Sequence, residues 1–299
     1  MKVRIGLLLN SLVVPVWQRE IITAIRNNPR LSIDLIILNN GTDKHAKRRR
    51  AVYKFFMRLD RKLFRVKHDV FGQVSIADLV EGVEQLKVVP VSKRFSTELD
   101  AADVETIRRK EPDVLIRFGF GILKGEILHA AKLGIWSLHH GDNKVNRGGP
   151  PGFWEVVNRE TVTGVTLQRL SNELDGGEVL GKAFLKTDFT SFNRNQNAVF
   201  SAGIELFVAK LDELSLAGRE AFLARAKEFA STPFYFHPLY KDPADLRSLQ
   251  IFLPFWLDRI TSSVAGVFHS QQWGLLYKFR SKGIDTAGYR YRRLSPPKG

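Results

Sequence analysis

Two adjacent histidines, His139 and His140, are the residues whose position most suggests chemistry. They follow the apolar segment GIWSL, which is predicted to be a buried strand. In parallel α/β sheets, ligand sites lie at the carboxyl ends of strands. A segment rich in glycine and proline, residues 141–153, comes next and lets the backbone approach a bound molecule closely. An imidazole in such a place can stabilise a developing oxyanion or relay a proton.

A carboxylate that could work with the histidines stands further along the chain. Asp175 lies in the sequence LDGGE. It could orient His139 and accept a proton, directly or through water. Asp-Gly is also a common turn pair, so a purely structural role for Asp175 stays open.

An ordered pattern surrounds these residues. It reads N-x-H-P-S-L-L-P-x-x-R-G-x-x-P-x-x-W, followed by G-V-T and D-x-G. The positions that match it are His139, Arg147, Gly148, Pro151, Trp154, Gly164, Val165, Thr166, Asp175 and Gly177. Over about residues 110–188 the sequence therefore resembles the formyltransferase family that uses 10-formyltetrahydrofolate, which includes glycinamide ribonucleotide, methionyl-tRNA and amino-sugar formyltransferases.

The resemblance implies a set of roles. The catalytic residues would be His139, Asp175 and Ser137. The folate cleft would be formed by Phe118, Gly119, Phe120, Gly121, Ile122, Leu123 and Leu174. The acceptor would be contacted by His140, Asp142, Asn143 and Arg147. The family's reaction needs 10-formyltetrahydrofolate as co-substrate and no metal.

This sequence departs from the pattern at its centre. The asparagine two residues before the histidine is Ser137, and loss of one oxyanion donor can cost about 100- to 1000-fold in rate unless a group such as His140 replaces it. The family's P-S is His140-Gly141, and L-L-P is replaced by residues 142–144, which makes the cleft wall polar. Hydrolysis of a formyl or other acyl group, and a non-catalytic binding domain, stay open as alternatives.

The elements that must position these residues follow a β-α-β order. We predict strands at 2–10, 31–38, 85–91, 113–121 and 134–140, and helices at 16–28, 98–110 and 124–132. This order predicts an α/β fold of the Rossmann-like formyltransferase type, with a mostly parallel sheet flanked by helices. The turn after the first strand, NSLVVP, has no glycine. NAD or FAD binding and a phosphoribosyl acceptor are therefore disfavoured.

The net charge of +15 is concentrated in two segments. Residues 44–67 carry eleven Lys or Arg and one acid, Asp60, and residues 278–299 carry seven and one. The remainder has 28 basic and 29 acidic side chains, so the body is nearly neutral. Without cysteine, the chain has no disulfide and no thiol nucleophile.

The basic segment 47–67 is predicted to be a helix with an apolar stripe formed by Val52, Phe55, Phe56, Leu59, Leu63 and Val66. It could pack its stripe on the body with solvated charges, lie on an anionic membrane surface, or clamp the phosphates of tRNA. Methionyl-tRNA formyltransferases usually carry a C-terminal β-barrel, and residues 230–299 lack its run of alternating strands. A membrane surface or a polyanionic glycan precursor is therefore preferred over tRNA.

The sequence predicts a catalytic domain at 1–229, with 44–67 as a basic helical insert, and an aromatic, basic C-terminal extension at 230–299. Its first apolar run is broken after five residues at Asn10 and lacks a signal-peptidase site, and no apolar stretch reaches the roughly 20 residues of a membrane span. We expect a cytoplasmic protein, with a peripheral position at the inner face of a membrane as the further option. The expected activity is N-formylation of an amine, preferably on an amino sugar or a related glycan or secondary-metabolite precursor, with methionyl-tRNA as the alternative acceptor.

Overall fold

The fold is a sheet covered by helices on both faces. The computed structural model describes residues 2–41, 50–93, 96–145, 147–173, 177–229 and 239–268. Its strands are β1 (Val3–Leu9), β2 (Val13–Pro15), β3 (Leu31–Asn39), β4 (Gln73–Ser75), β5 (Glu84–Val88), β6 (Val91–Ser92), β7 (Thr97–Glu98), β8 (Val114–Arg117), β9 (Ile135–His139), β10 (Arg147–Gly148), β11 (Val162–Arg169), β12 (Glu178–Lys186) and β13 (Leu239–Tyr240). Its helices are α1 (Val16–Asn27), α2 (Ala51–Leu63), α3 (Ala101–Arg109), α4 (Trp154–Val157), α5 (Phe192–Ala217), α6 (Arg219–Phe229) and α7 (Asp245–Phe268).

The main sheet has seven strands in the order β12-β11-β9-β8-β1-β3-β5. The five strands from β9 to β5 are parallel, and β11 and β12 run antiparallel to their neighbours. The prediction of a mostly parallel α/β sheet is confirmed. From β1 the chain moves to β3 and β5 on one side, and then returns to β8 and β9 on the other. This change of direction makes the gap between β1 and β8 the topological switch point, where such sheets form a crevice.

The core explains why the apolar segments are strands. Five consecutive residues of β1, Ile5–Leu9, have at most 1% exposed surface because the sheet is covered on both faces. Ile21 and Ile22 of α1 pack on one face together with Leu7 and Trp136. Val104 and Ile107 of α3 pack on the other face. One apolar layer thus packs on each face of the sheet, and this packing holds the ends of the strands in position.

One predicted element is wrong. Residues 124–132 do not form an α-helix but a single 3-10 turn, Glu126–His129. Gly125 precedes the turn with a φ of 82°, and the backbone N–H of Lys124 is bonded to Thr97 instead of to a helical partner. A left-handed residue at that point stops a helix from extending backwards.

Helix α2 lies within the predicted basic helix 47–67, and of the packing alternatives left open, the one with the whole apolar stripe packed on the body is not what the structure shows. The buried residue of α2 is Asp60, with no exposed surface, whereas Phe55 and Leu63 of the predicted stripe are 60% and 56% exposed. Residues 47–49 lie outside the described part of the chain.

The chain divides into two compact units, residues 1–243 and 244–299. The predicted boundary at 229/230 falls at the edge of 230–238, which the structure does not describe, and it stays a prediction. In the second unit the structure describes α7, which contains Pro254. No helix in the described ranges is both long and apolar enough to cross a membrane.

Candidate functional site

The crevice at the switch point is shaped by Asn10, the first residue after β1. Its side-chain oxygen accepts a hydrogen bond from the backbone N–H of Phe120 at 3.0 Å. A Cβ atom on Gly119 would lie 2.5 Å from that oxygen and 2.9 Å from the backbone nitrogen of Asn10. Only glycine allows this approach, so the FGFG sequence brings the loop after β8 against the loop after β1.

A cavity of about 350 Å³ opens at these strand ends. It is lined by Asn10, Trp17, Arg117, Phe118, Gly119, Gly121, Leu138, His140, Phe200 and Phe207. Half of its lining residues carry aromatic rings, and a few polar groups converge from the strand ends. This combination is typical of a small-molecule site.

His140 is held in an aromatic cluster at this cavity. Its ring stacks on Phe200 with a centroid distance of 3.6 Å, and the edge contact with Trp17 is 5.4 Å. Burial, and to a lesser extent the neighbouring His139 and Arg117, lower the pKa of His140 to about 3. The imidazole is therefore neutral near pH 7. Its Nε2 atom is shielded from solvent and has no hydrogen-bond partner within the described residues.

Ser137 and Arg117 form a pair across the neighbouring strands β9 and β8. The Nε and Nη2 atoms of Arg117 donate to the Ser137 hydroxyl at 3.0 and 2.8 Å, and its Nη1 donates to the carbonyl oxygen of Gly121. Ser137 is 1% exposed, whereas Arg117 reaches the cavity. A guanidinium thus lies where the sequence alone indicated an isolated hydroxyl.

The loop after the two histidines is held by the G-V-T segment of β11. Thr166 donates its hydroxyl to the carbonyl of Gly141 at 2.9 Å and accepts the N–H of Asn143 at 3.3 Å. A Cβ on Gly164 would lie 2.9 Å from the Cβ of Asp142, so this position also requires glycine. These motif positions therefore fix the backbone of the loop.

The polar side chains of that loop have different surroundings. Asp142 forms a half-buried ion pair with Lys182, so its carboxylate is already bound within the protein. Asn143 is 4% exposed, and its side-chain oxygen has no partner within the described residues.

Contacts of Trp154 hold the next segment, residues 147–154, in position. Its indole N–H donates to the carbonyl of Gly149 at 3.2 Å, and its ring stacks on Tyr240 at 4.8 Å. The backbone of Arg147 and Gly148 forms β10, which pairs with β13. Helix α5 completes the support, because Gln196 donates to the carbonyl of Pro151 at 2.9 Å.

The predicted site residues are only partly brought together. His139 ends β9 and is half-buried. Phe118, Gly119 and Gly121 line the cavity. Phe120 and Leu123 are instead buried in the core, and Ile122 is 38% exposed. Leu174 and Asp175 lie outside the described residues, and of Arg147 the described part is the backbone.

Six residues that line the cavity were missed by sequence reasoning: Asn10, Trp17, Arg117, Leu138, Phe200 and Phe207. Asn10 and Trp17 precede the recognisable segment and carry no motif. Arg117 did leave a signal, because it is the one charged residue in the apolar run VLIRFGFG. A charge in a buried strand needs a partner or a ligand.

The fold and cleft together define a Rossmann-like α/β protein with a ligand site at the switch point of its sheet. No family model matches the sequence. Over 159 residues, half of the chain, it is 25% identical to methionyl-tRNA formyltransferase from Borrelia hermsii (strain HS1 / DAH). The chain spans about half, 51%, of the length of that relative.

Solved structures share the fold. Phosphoribosylglycinamide formyltransferase from Anaplasma phagocytophilum aligns with a TM-score of 0.50 and 17% identity, over 72% of this chain and 87% of its own. A formyltetrahydrofolate deformylase from Pseudomonas syringae pv. tomato str. DC3000 also has a TM-score of 0.50, with 14% identity over 73% and 63% of the two chains. The resemblance to the formyltransferase family, and the formyltransferase-type fold that it implied, are confirmed.

Proposed function

We propose that the chain transfers a formyl group from 10-formyltetrahydrofolate to an amine. The observation that carries this proposal is that His139, within the formyltransferase pattern, ends β9 next to His140, which lines an aromatic cleft at the switch point. The folate would supply an activated formyl group on its N10 nitrogen. His139 would stabilise the oxyanion or relay a proton, and Asp175 would orient His139 and accept the proton of the amine.

The residues present suit a folate. Phe118 offers an aromatic wall to a flat ring system, and the glycines at 119 and 121 leave the backbone accessible at the cavity. Phe120 and Leu123 belong instead to the apolar layer on the other face of the sheet from Phe118.

We propose an amino sugar, or a related glycan or secondary-metabolite precursor, as the acceptor. A sugar ring has apolar faces that can pack on Trp17 and Phe200, and polar edges that need hydrogen bonds. The neutral His140 and the Asn10 side chain converge on the same cavity and can supply them. Asn143 and Arg147 remain further candidates for acceptor contacts. Asp142 is a weaker one, because Lys182 already neutralises it.

Calorimetric titration with 5-formyltetrahydrofolate, a stable donor analogue, tests the proposal. We expect saturable binding in the micromolar range; no binding at millimolar ligand would refute it. With 10-formyltetrahydrofolate and nucleotide-linked amino sugars, mass spectrometry should detect a formylated sugar that the His139→Ala variant does not produce. Release of formate without any acceptor would instead favour hydrolysis.

We also propose that α2 binds an anionic membrane surface. The exposed side chains of Lys54, Arg58 and Lys62 have no ion-pair partner in the described ranges, and the exposed Phe55 and Leu63 lie among them. A phosphate backbone would need only the cations. Large apolar side chains between cations favour a lipid interface, where each basic residue contributes about 1 kcal/mol. This binding would locate the protein peripherally at a membrane.

Co-sedimentation with vesicles of phosphatidylcholine, with and without phosphatidylserine, tests this surface. We expect binding only to the anionic vesicles, and the double variant Phe55→Ser/Leu63→Ser should reduce it about tenfold or more. The variant Val13→Ser/Val91→Ser, at exposed apolar positions outside α2, is the matched control. Equal partitioning into both vesicles, or retention of tRNA but not of lipid, would contradict the proposal.

A further inference from the structure

The Arg117–Ser137 pair changes which group can stabilise an oxyanion in this site. A serine hydroxyl has one hydrogen to donate and two lone pairs. The Nε and Nη2 atoms of Arg117, at 3.0 and 2.8 Å, donate to the two lone pairs of the Ser137 hydroxyl oxygen. The hydroxyl hydrogen is directed at the carbonyl oxygen of Leu138 at 3.4 Å. Because Ser137 is also 1% exposed, its hydroxyl anchors the guanidinium and does not face a ligand.

The pairing of the strands places Arg117 beside the histidine. Ile116 of β8 lies opposite Trp136 of β9, so Arg117 lies next to Ser137. Ser137 and His139 are two residues apart on one strand and point to the same face, about 7 Å apart along it. The guanidinium and the imidazole are therefore neighbours on one face of the sheet, at its ligand-binding edge.

Arg117 is also accessible from the cleft. It lines the cavity together with Gly119 and Gly121, and its contact with the Gly121 carbonyl holds the loop around it. A guanidinium stays protonated throughout the physiological pH range, and its planar fork of five N–H donors keeps a fixed direction when several of them are bound. The side chain is thus pre-oriented at the mouth of the folate loop.

We propose that Arg117 is a catalytic residue that donates a hydrogen bond to the formyl oxygen, and that Ser137 is its positioning residue. This inference rests on the proposed function. The lone pair of the acceptor amine forms the new C–N bond while the carbonyl π electrons move onto the oxygen, where Arg117 stabilises the negative charge. The amine then loses its proton, the electron pair returns to the carbonyl, and the bond to N10 breaks. N10 takes up a proton, and tetrahydrofolate leaves.

A pair of stable ligands that differ only in the formyl group tests the contact. These are 10-formyl-5,8-dideazafolate and 5,8-dideazafolate, titrated calorimetrically into the full-length chain. A charge-assisted hydrogen bond predicts that the wild type prefers the formylated ligand by about 10- to 100-fold. In Arg117→Ala the preference should fall to within about twofold, whatever loss of affinity both ligands share because the contact with the Gly121 carbonyl is removed. Arg117→Lys, which keeps the charge but not the fork, should be intermediate.

Arg30→Ala, at an exposed position, is the matched control and should keep the full preference. If Arg117→Ala does not fold, Ser137→Ala, which removes the anchor, should reduce the preference at least threefold. A preference that survives in these variants, or a wild type that binds both ligands equally, would overturn the role of Arg117 while leaving folate binding intact. A wild type that binds neither ligand would overturn the proposed function, and this inference with it.

Discussion

Asp60 is the one acidic side chain in the basic segment 44–67, and it is fully buried. It accepts hydrogen bonds from the Ser191 hydroxyl at 2.6 Å and from the backbone N–H of Asn193 at 2.8 Å. Both donors belong to the first turn of α5, where a negative charge also interacts favourably with the helix dipole. This buried carboxylate thus helps to attach the basic helix to the helix that supports the cleft, together with the bond from the Asn193 side chain to the carbonyl of Phe64 at 3.1 Å.

Replacing this carboxylate should be costly. Asp60→Ala leaves the donors at the start of α5 without their partner, and we expect a loss of about 2–4 kcal/mol in the free energy of unfolding. Urea denaturation followed by circular dichroism measures it. Asp78→Ala removes an exposed partner of Arg19 and should cost less than about 1 kcal/mol. Equal losses in the two variants would show that Asp60 is not the attachment.

The neutral state of His140 predicts a pH dependence of stability. The pKa is about 3 in the fold and 6.5 in an unfolded chain, so between these values the unfolded state binds one more proton. The free energy of unfolding should therefore fall as the pH is lowered from 6.5 towards 3, by up to about 1.4 kcal/mol per pH unit from this residue. Denaturation of the wild type and of His140→Gln at several pH values measures the difference.

The exposed His129→Gln variant provides the matched control for that experiment. If the wild type and His140→Gln showed the same slope below pH 6.5, the fold would not be keeping this imidazole neutral.

At the scale of elements, local periodicity was sufficient for the parallel part of the sheet. The predicted strands and the helix at 16–28 correspond to β1, β3, β8, β9 and α1 within a few residues. These strands are covered on both faces of the sheet. A continuous run of apolar residues is typical of such a strand and therefore predicts it directly. The pair β11 and β12, which follows the histidines, was not predicted, because its alternating pattern is interrupted by polar residues that hold the loop.

The site was less predictable than the sheet. The motif identified His139 and the residues around it because their spacing is fixed along the chain. The contact between Arg117 and Ser137 joins residues 20 positions apart and exists only through the register of β8 against β9. Similarly, Phe120 looked like a cleft residue, but its φ of 67° turns the chain so that its ring enters the core. Neither the contact between the two strands nor the backbone angle at Phe120 can be predicted from the local sequence.

The close approach of the two loops makes Gly119 a sensitive position. In Gly119→Ala the new methyl group would collide with Asn10, and separating the loops would break the bond to Phe120. We expect a loss of about 1–3 kcal/mol in stability and at least tenfold weaker binding of 5-formyltetrahydrofolate. Gly72→Ala, where the nearest atoms lie at 3.5 Å or more, is the control. Unchanged binding would mean that this contact does not shape the ligand site.

For the whole molecule, the charge of +15 belongs to segments and not to the surface as a whole. In the described part of the first segment, α2 carries its cations on exposed positions around Phe55 and Leu63, while the acid is turned inwards. The second segment, 278–299, lies outside the described residues. The proposed membrane contact therefore depends on this charge, and the proposed chemistry depends on the strand ends.

The extent of the catalytic unit is a prediction at this same scale. Tyr240 stacks on Trp154, bonds to Asn158 at 2.9 Å, and pairs through its backbone with Gly148. A fragment of residues 1–229 lacks these contacts, and we expect it to be about 2–4 kcal/mol less stable than a fragment of residues 1–243. Thermal and urea denaturation of the two fragments measure this. Equal stability would place the end of the unit at the predicted residue 229.

The pairing of β10 with β13 also sets the order in which the site can be completed during synthesis. β10 contains residues 147 and 148, but its partner strand ends at residue 240. A ribosome must therefore add more than 90 residues after β10 before the Trp154 segment acquires its support. The sheet and α5 can form earlier, from chain that has already emerged. A nascent chain can therefore hold a folded sheet before the Trp154 segment gains its contacts with Tyr240.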